Sequence, residues 1–247
     1  MSLTSSQKPL PEQDAEKILR PAADHLRTTG HPPSAGAVSG LQRIDASLYA
    51  RFGKRLIDIV ASSAGLIVLS PVLILVGILT KCTSRGPMLY WQDRVGLRGT
   101  CFRIAKFRSM VVDAEKRGPD ITSSGDPRVT PVGSVIRNLK LDELPQLWNV
   151  LKGEMSLVGP RPELPRYVAD YSDQELNVLS VRPGITDLAS IRYRHEEEIL
   201  ANSDHPEEFY RNVVLRDKLT LNLEYIDKMS FSFDIKLILQ TLKSLFA

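Results

Sequence analysis

The pattern of hydrophobic and polar residues divides the chain into three parts. Residues 1–50 are rich in proline, glycine and serine and contain no sustained apolar period, which is typical of a disordered or weakly structured tail. Residues 51–82 contain the longest apolar segment, and residues 83–247 mix apolar and polar positions as a folded domain does. We therefore expect a tail, a hydrophobic segment and one polar domain.

The hydrophobic segment runs from Ile59 to Thr80, 22 residues without a charge. As an unbroken helix it would be about 33 Å long, enough to cross the hydrocarbon core of a bilayer. Ser70 and Pro71 lie at its middle, where proline removes a backbone hydrogen bond and predicts a helix break. We expect the Ser70 hydroxyl to bond to one of the carbonyl groups that the break leaves free.

Basic residues flank the segment at both ends, with Lys54 and Arg55 before it and Lys81 and Arg85 after it. Because basic residues favour the cytoplasmic side of a membrane, this symmetry favours a re-entrant helix that enters one leaflet, bends and returns. A proline-kinked spanning helix and a buried core helix of a soluble protein remain open as alternatives.

The polar part of the chain predicts an α+β, mostly helical fold with a small β element. Residues 87–92 and 101–107 have the composition of strands, and helices follow a loop rich in glycine, proline, aspartate and serine. Ser172 and Glu175 have the spacing of a capping box, which predicts a helix that ends before Pro183.

Apolar residues near the C-terminus recur at helical spacing, with Asp234 as the expected N-cap. A core face is the more ordinary interpretation of this stripe, and a surface lying on lipid is the alternative that the nearby hydrophobic segment raises. The residues of the stripe are Ile235, Ile238, Leu239, Leu242, Leu245 and Phe246.

Composition excludes several classes of protein. The mean hydropathy of −0.12 argues against a multi-span membrane protein. The net charge of +3, with basic residues dispersed among acids, gives little support to a nucleic-acid partner. Two cysteines cannot form a disulfide scaffold, and the four histidines lack the spacing of metal ligands.

A helix is predicted around residues 144–153, because Leu144, Leu147, Trp148 and Leu151 form one apolar face. Proline at position 145 is suited to the first turn of this helix, and Gly153 is suited to its end.

Asp142 and Glu143 would then lie at the N-terminus of this helix, where the free N–H groups and the helix dipole favour an anion. We expect such a carboxylate to stay ionised, as a nucleophile or a Mg²⁺ ligand must be. An acidic pair also stabilises the start of helices that have no catalytic role. The pair alone therefore does not establish catalysis.

Four arginines lie in loops beside glycine or proline: Arg94, Arg108, Arg161 and Arg182. Guanidinium groups match phosphate oxygens bidentately, and rigid loops fix the direction in which they point. Together with the acidic pair and the hydrophobic segment, they indicate phosphoryl chemistry on a lipid-borne substrate.

Several short motifs follow one another in order from Lys54 onwards and together cover about 190 residues. These motifs are Lys54-Arg-Leu-Ile-Asp58, Ser70-Pro71, Gln92-Asp-Arg-Val-Gly96, Phe102 with Lys106-Phe-Arg-Ser-Met110, Asp142-Glu-Leu-Pro-Gln146, Ser156-Leu-Val-Gly-Pro-Arg-Pro162 and Arg182-Pro-Gly-Ile-Thr186. In these motifs and their order, the chain resembles the bacterial sugar transferase family, the monotopic phosphoglycosyl transferases.

The resemblance implies a re-entrant membrane helix with a Ser-Pro break, interfacial amphipathic helices and a cytoplasmic catalytic domain at the bacterial inner membrane. It also implies transfer of a sugar-1-phosphate from a UDP-sugar to polyprenyl (undecaprenyl) phosphate, with UMP as the other product. Such a reaction would initiate a surface glycan: an O-antigen, a capsule, an exopolysaccharide or a glycoprotein glycan. The oligomeric state stays open, with a homodimer as one arrangement.

The resemblance also assigns roles to residues. Asp142 would attack the donor's β-phosphate and form a covalent phosphosugar intermediate, with Glu143 in proton handling or Mg²⁺ organisation. Mg²⁺ is implied as the cofactor, with Asp142 and Glu143 as its ligands. The expected substrate or phosphate contacts are Arg94, Lys106, Arg108, Arg161 and Arg182.

Three positions depart from the family's usual pattern: Asp187 replaces a glycine, Ser190 replaces a glutamine, and Lys140 stands where serine or threonine is common. A carboxylate at position 187 should weaken phosphate binding unless it binds metal or contacts the sugar. Two other functions stay open, a phosphohydrolase that uses the same acidic pair and an inactive membrane-anchored scaffold for glycan enzymes.

Overall fold

The computed structural model describes residues 49–118, 121–122 and 124–245, so the predicted tail lies outside the described residues except for its last two positions. The fold is α+β and mostly helical, as predicted. The helices are α1 (Lys54–Val68), α2 (Ser70–Thr83), α3 (Pro131–Asn138), α4 (Gln146–Lys152), α5 (Pro165–Val168), α6 (Leu188–Arg192), α7 (Glu196–Ala201), α8 (Pro206–Phe209), α9 (Leu215–Asp227) and α10 (Phe231–Leu245). The strands are β1 (Leu89–Val95), β2 (Cys101–Phe107), β3 (Ser156–Val158) and β4 (Gly184–Thr186).

The hydrophobic segment forms two helices, α1 and α2, that are bent by 61° at Leu69. The Ser70 hydroxyl donates a hydrogen bond to the carbonyl of Ile67 at 2.7 Å, and Pro71 lies in the first turn of α2. The break therefore falls where the sequence predicts it. Among the described helices, none alone is long and apolar enough to cross a bilayer, whereas the bent pair passes that test as a unit.

One side of this helical pair is apolar and exposed, and the other side binds the rest of the protein. Large side chains on the outer side expose about half or more of their surface, which is unusual for a face that meets water. These side chains are Leu56, Val60, Ile67, Val68, Ile74, Leu75 and Ile78.

Polar side chains attach α1 to the domain. Arg55 donates hydrogen bonds to the carbonyl groups of Val150 and Leu151 at 2.6 and 2.8 Å, at the end of α4. The buried Asp58 accepts hydrogen bonds from the Ser156 hydroxyl at 3.1 Å and the Leu157 N–H at 2.9 Å. The helix that carries the hydrophobic segment is thus bonded both to α4 and to β3.

Two small sheets complete the architecture. β1 and β2 form an antiparallel hairpin from Leu89 opposite Phe107 to Val95 opposite Cys101, so the first strand begins two residues later than predicted and extends further. β3 and β4 are parallel. A large apolar core lies between α9, α10 and the segment 175–180, and each fully buried leucine in it contributes about 2 kcal/mol.

The capping box at Ser172 is present, although the helix that it opens is a short one. The Glu175 carboxylate accepts hydrogen bonds from the Ser172 N–H at 2.7 Å and from its hydroxyl at 2.8 Å. The helix is a six-residue 3₁₀ helix, Glu175–Ser180, that ends before Pro183 as predicted.

Asp234 is not the N-cap of the C-terminal helix, and that prediction is wrong. α10 begins at Phe231, and the Ser230 hydroxyl accepts a hydrogen bond from the Phe233 N–H at 3.4 Å. Asp234 is buried one turn into the helix, where it accepts a hydrogen bond from the Tyr225 hydroxyl at 2.8 Å and pairs with Lys54. Lys54 is distant in sequence and Tyr225 lies on the preceding helix, so helix-start statistics could not find either partner.

The predicted core face of α10 is also wrong in large part. Leu237 and the half-buried Ile238 pack in the core, whereas Ile235, Leu239 and Leu242 are exposed. Phe246 lies outside the described residues. The helix therefore has a second, uncovered apolar face beside the face that it buries.

Candidate active site

Asp142 and Glu143 lie in a 3₁₀ turn, Leu141–Glu143, which ends three positions before the first residue of α4, Gln146. Lys140 enters this turn with a left-handed backbone (φ +55°), and neither acidic side chain caps the helix. The pair thus lies on the N-terminal side of the helix as expected, but without a hydrogen bond from its side chains to the first free N–H groups. Gly153 ends α4 in the left-handed conformation (φ +89°), as predicted.

The buried face of α4 agrees only in part with the predicted apolar face. Leu147 is buried as predicted, whereas Trp148 is half exposed. Gln146, Asn149 and Val150 are also buried, and the Asn149 amide oxygen accepts a hydrogen bond from the Ala105 N–H at 3.0 Å. Polar bonding to β2 therefore shares with apolar periodicity in deciding which side of this helix is buried.

Glu143 is held by two cations. The Lys106 ammonium lies 3.0 Å from its Oε1, and the Arg161 guanidinium binds both carboxylate oxygens, with Nη1 3.1 Å from Oε2. Burial alone would raise the pKa of Glu143, but Arg161 and Lys106 hold that pKa well below its usual range. Glu143 is thus an anion whose oxygens are already bonded.

Asp142 differs from its neighbour, because it is only 6% exposed and its Oδ1 accepts no hydrogen bond from the described residues. Burial, aided by the negative charge of Glu143, raises the pKa of Asp142 to about 6, while Lys106 and Arg137 oppose the shift. We expected a carboxylate that its position keeps ionised, and the burial of Asp142 works against that. Asp142 is ionised at neutral pH, but its pKa lies well above that of a free aspartate.

The structure brings Arg94 close to the site that contains Lys106 and Arg161. Its guanidinium bonds to the Gln92 amide oxygen at 2.7 Å and to the Pro162 carbonyl at 3.1 Å, and it lies 3.6 Å from the Glu163 carboxylate. Arg94 therefore fixes the loop that carries Arg161. Both arginines also add positive charge around Lys106, whose pKa is lowered first by burial.

Arg108 and Arg182 are not brought to the acidic pair. Arg108 is buried at the end of α2, where it donates to the Ser84 carbonyl at 2.8 Å and the Ser84 hydroxyl at 2.6 Å. Arg182 donates to the Gly153 carbonyl at 2.9 Å, just beyond α4. Their observed contacts connect protein segments, so the geometry gives no support to their predicted phosphate contacts.

Arg137 is a charge near the site that sequence reasoning missed. It lies in the last turn of α3, pairs with Glu197, and lowers the pKa of Asp142 against the effect of burial. Arg137 lies only five residues before Asp142, and this short separation was the one signal in the sequence that the two charges could lie close together.

Asp187 binds backbone rather than phosphate. Its side chain is almost fully buried, one oxygen accepts the Arg161 N–H at 2.9 Å, and the other caps α6 by accepting the Ser190 N–H. Both oxygens of Asp187 are thus bonded to backbone N–H groups. The structure therefore gives no support to the expectation that a free carboxylate at this position weakens phosphate binding.

The residues present fit a Mg²⁺ ion only in part. Among the described residues, no three His, Cys, Asp or Glu side chains lie close enough to form a metal site. Mg²⁺ commonly uses one or two carboxylates together with substrate phosphates and water. The free buried Oδ1 of Asp142 suits such a site, whereas both oxygens of Glu143 are engaged by cations.

Residues 49–247 match the model of the family described as bacterial sugar transferase. The curated relatives include a protein of Aeromonas hydrophila named UDP-N-acetylgalactosamine-undecaprenyl-phosphate N-acetylgalactosaminephosphotransferase. It is 37% identical over 206 residues, which cover 82% of this chain and 45% of the relative.

Two further relatives have similar names. The undecaprenyl-phosphate glucose phosphotransferase of Komagataeibacter xylinus is 41% identical over 210 residues, covering 82% of this chain and 37% of the relative. The UDP-glucose:undecaprenyl-phosphate glucose-1-phosphate transferase of Caulobacter vibrioides is 36% identical over 205 residues, covering 78% of this chain and 69% of the relative. The chain spans less than half the length of the first two of these relatives. With most of its length matched by the family model, the chain belongs to the bacterial sugar transferase family.

Proposed function

We propose that the chain is a phosphoglycosyl transferase that moves a sugar-1-phosphate from a UDP-sugar to polyprenyl (undecaprenyl) phosphate. The observation that carries the proposal is the contrast within the acidic pair. Glu143 is fully bonded to two cations, while Asp142 keeps a buried carboxylate oxygen that lacks a partner among the described residues. A nucleophile needs such a free oxygen, and a phosphate substrate needs the cations.

The first step is the attack of the Asp142 Oδ1 on the β-phosphorus of the donor. An Asp–phosphate bond forms, the bond from the β-phosphorus to the bridging oxygen breaks, and UMP leaves with the electron pair. In the second step an oxygen of the lipid phosphate attacks the same phosphorus and displaces the Asp142 carboxylate. No net proton transfer is needed when Asp142 and the lipid phosphate are ionised.

Glu143 then acts mainly through the cations that it holds. By fixing Lys106 and Arg161 beside Asp142, it keeps positive charge where the donor's diphosphate must lie. Arg94 supports the same loop through Pro162. Mg²⁺ held by Asp142 and the donor's phosphates would neutralise the charge that develops on UMP.

The helical pair α1–α2 is the proposed membrane anchor, re-entrant at the cytoplasmic face of the bacterial inner membrane. Its support is the 61° bend, the exposed apolar face, and a length that crosses a bilayer only if the pair is straightened. The uncovered apolar face of α10, with Lys236 and Lys243 beside it, suits the adjoining lipid surface. A lipid acceptor would then reach a site close to the membrane.

The relatives' names support the choice of substrates, since several name undecaprenyl phosphate together with UDP-glucose or UDP-N-acetylgalactosamine. A relative in Rhizobium meliloti is named as an exopolysaccharide production protein. We therefore place the reaction at the start of the synthesis of a surface glycan.

The test measures UMP release by the purified full chain in nanodiscs with Mg²⁺. UDP-glucose, UDP-galactose and UDP-N-acetylgalactosamine are supplied in turn, with and without undecaprenyl phosphate. Intact-mass analysis without the lipid should show one sugar-phosphate added to the protein. Asp142→Asn should abolish both signals, and Asp113→Asn, a change at an exposed aspartate, should leave them intact.

Each contrary result identifies a different failure. Continuous release of sugar phosphate without the lipid would make the chain a phosphohydrolase. No reaction with any donor, in folded and membrane-bound protein, would favour the inactive scaffold. Full activity in Asp142→Asn would overturn the role assigned to Asp142.

A further inference from the structure

The loop that follows β3 lies against β4, next to the start of the loop that follows β4. Parallel strands end at the same edge of their sheet, so the residues after them emerge together. The Gly159 N–H donates to the Thr186 carbonyl at 3.0 Å, and the Gly184 N–H donates to the Pro160 carbonyl at 2.9 Å. A Cβ at Gly184 would lie 2.1 Å from the Gly159 nitrogen, so only glycine allows this approach.

Asp187 is the first residue after β4, and its carboxylate joins the two loops. It is 1% exposed, and its Oδ2 accepts the Arg161 N–H at 2.9 Å. Its Oδ1 accepts the Ser190 N–H at the start of α6. One buried side chain thus bonds the loop of Arg161 to a helix that belongs to the main core.

The guanidinium of Arg161 continues this series of contacts to the acidic pair. Because it is bidentate to Glu143, its position depends on the direction in which the chain passes position 161. Asp187 also favours the charged form of Arg161, since Glu143 first and Asp187 as well raise the pKa of that guanidinium.

We propose that Asp187 is a positioning residue that fixes the backbone at Arg161 and thereby holds the Arg161 guanidinium against Glu143. Its use in catalysis rests on the proposed function, whereas its effect on the Arg161 loop does not. Asp187 touches no reacting atom. It acts by keeping a phosphate-binding cation in place, as supporting side chains do in other preorganised sites.

Substitutions at position 187 separate this role from simple helix capping. In Asp187→Ser the side chain is shorter than that of aspartate. Its hydroxyl still accepts a hydrogen bond from the Ser190 N–H but does not reach the Arg161 N–H. Asp187→Gly removes both contacts. Ser172→Ala removes the hydroxyl bonds of the capping box at a different short helix and serves as the control for a general loss of stability.

The first measurement is hydrogen exchange of the full chain in nanodiscs, which needs no turnover. Asp187→Ser should increase exchange at the Arg161 amide by about tenfold or more, while the amides of α6 keep their protection. Titration with UDP alone should show weaker binding in Asp187→Ser and Asp187→Gly than in the wild-type chain or in Ser172→Ala.

The second measurement is kcat/KM for the active UDP-sugar, which should fall by about tenfold to a hundredfold in Asp187→Ser. Unchanged Arg161 exchange and UDP binding in that variant would overturn the proposal. A loss of kcat/KM no larger than that of Ser172→Ala would do the same. If the wild-type chain transfers no sugar phosphate, the proposed function fails, and the exchange and UDP results still decide the role of Asp187.

Discussion

Glu143 is bonded to two cations, whereas Asp142, the residue before it, keeps a buried carboxylate oxygen without a partner among the described residues. The two neighbours therefore have pKa values that move in opposite directions. Such divergence commonly separates the residue that reacts from the residue that organises charge. Here it supports the proposal that Asp142 is the nucleophile and that Glu143 anchors Lys106 and Arg161.

The pKa of Asp142 predicts the acid side of the rate profile. Because only the ionised carboxylate attacks phosphorus, formation of the phosphosugar intermediate should fall as the pH drops through about 6. Glu143 stays ionised in this range, since its pKa lies well below the usual value. Single-turnover UMP release from pH 8 to pH 5 measures the profile, and a rate that stays constant over this range would contradict it.

Removing the Asp142 charge should stabilise the protein at neutral pH. The folded-state pKa of Asp142 is raised from 3.8 to about 6, so the folded chain resists its ionisation, and stability falls as the pH rises through that window. Asp142→Asn should therefore increase the free energy of unfolding by about 1–3 kcal/mol at pH 7.5. The gain should shrink as the pH approaches 4.

Thermal unfolding in one detergent, at pH 7.5 and pH 4.5, measures this difference. Asp113→Asn is the control, because Asp113 is exposed and the change there should alter stability little at either pH. An Asp142→Asn variant that is less stable than the wild-type chain at pH 7.5 would show that the ionised carboxylate is well accommodated.

Glu143→Gln should have the opposite effect on stability. It leaves the partly buried Lys106 and Arg161 without their shared counter-charge, which should cost about 1–3 kcal/mol. It also removes a charge that raises the pKa of Asp142, so any residual activity should persist to lower pH. Unfolding curves and the pH profile of the variant test both effects. An unshifted pH profile would show that the charge of Glu143 does not raise the pKa of Asp142.

Gly153→Ala should loosen the contact between α1 and α4. Gly153 has a φ of +89°, and a Cβ there would lie 3.2 Å from the Arg55 guanidinium that bonds the end of α4. Strain and displacement together should cost about 2–3 kcal/mol. Gly125→Ala is the matched control, because Gly125 also has a positive φ but no atom within 4 Å of an added Cβ. Equal losses of unfolding free energy in the two variants would show that the Arg55 guanidinium moves away from the added Cβ at no cost.

Local sequence signals predicted the features that depend on neighbouring residues. The break at Ser70 and Pro71, the capping box at Ser172 and the helix end at Gly153 each follow from the conformational preferences of a few adjacent residues. The hairpin strands were found from composition, with an error of a few residues at the ends of the first one.

The features that the sequence did not predict depend on partners in other elements of the fold. Asp234 is of a residue type that commonly caps helices, but its contacts with Tyr225 and Lys54 bury it within α10. Arg108 has the loop setting of a phosphate ligand, but its Nη2 donates to Ser84 at the end of α2. Motif spacing identifies the residues of a family, whereas only tertiary contacts show which of them share one site.

The proposed re-entrant path of α1–α2 makes a prediction about topology. If both ends of the pair lie on the cytoplasmic side, Cys82, which is exposed at the end of α2, should resist a membrane-impermeant thiol reagent applied from the periplasm. In Phe52→Cys, the new thiol before α1 should be protected equally. Cys101→Ser removes the other native thiol, and both positions should react once the cells are lysed.

Pro71→Ala tests the cause of this topology. Restoring the missing N–H favours continuation of α1 into α2, and a straight helix of their combined length can cross the bilayer. A fraction of Cys82 should then react from the periplasm, while position 52 stays protected. Periplasmic labelling of Cys82 in the chain that retains Pro71 would contradict the re-entrant path. Protection of Cys82 in Pro71→Ala would show that the bonds of Arg55 and Asp58 to the domain hold the bend without the proline.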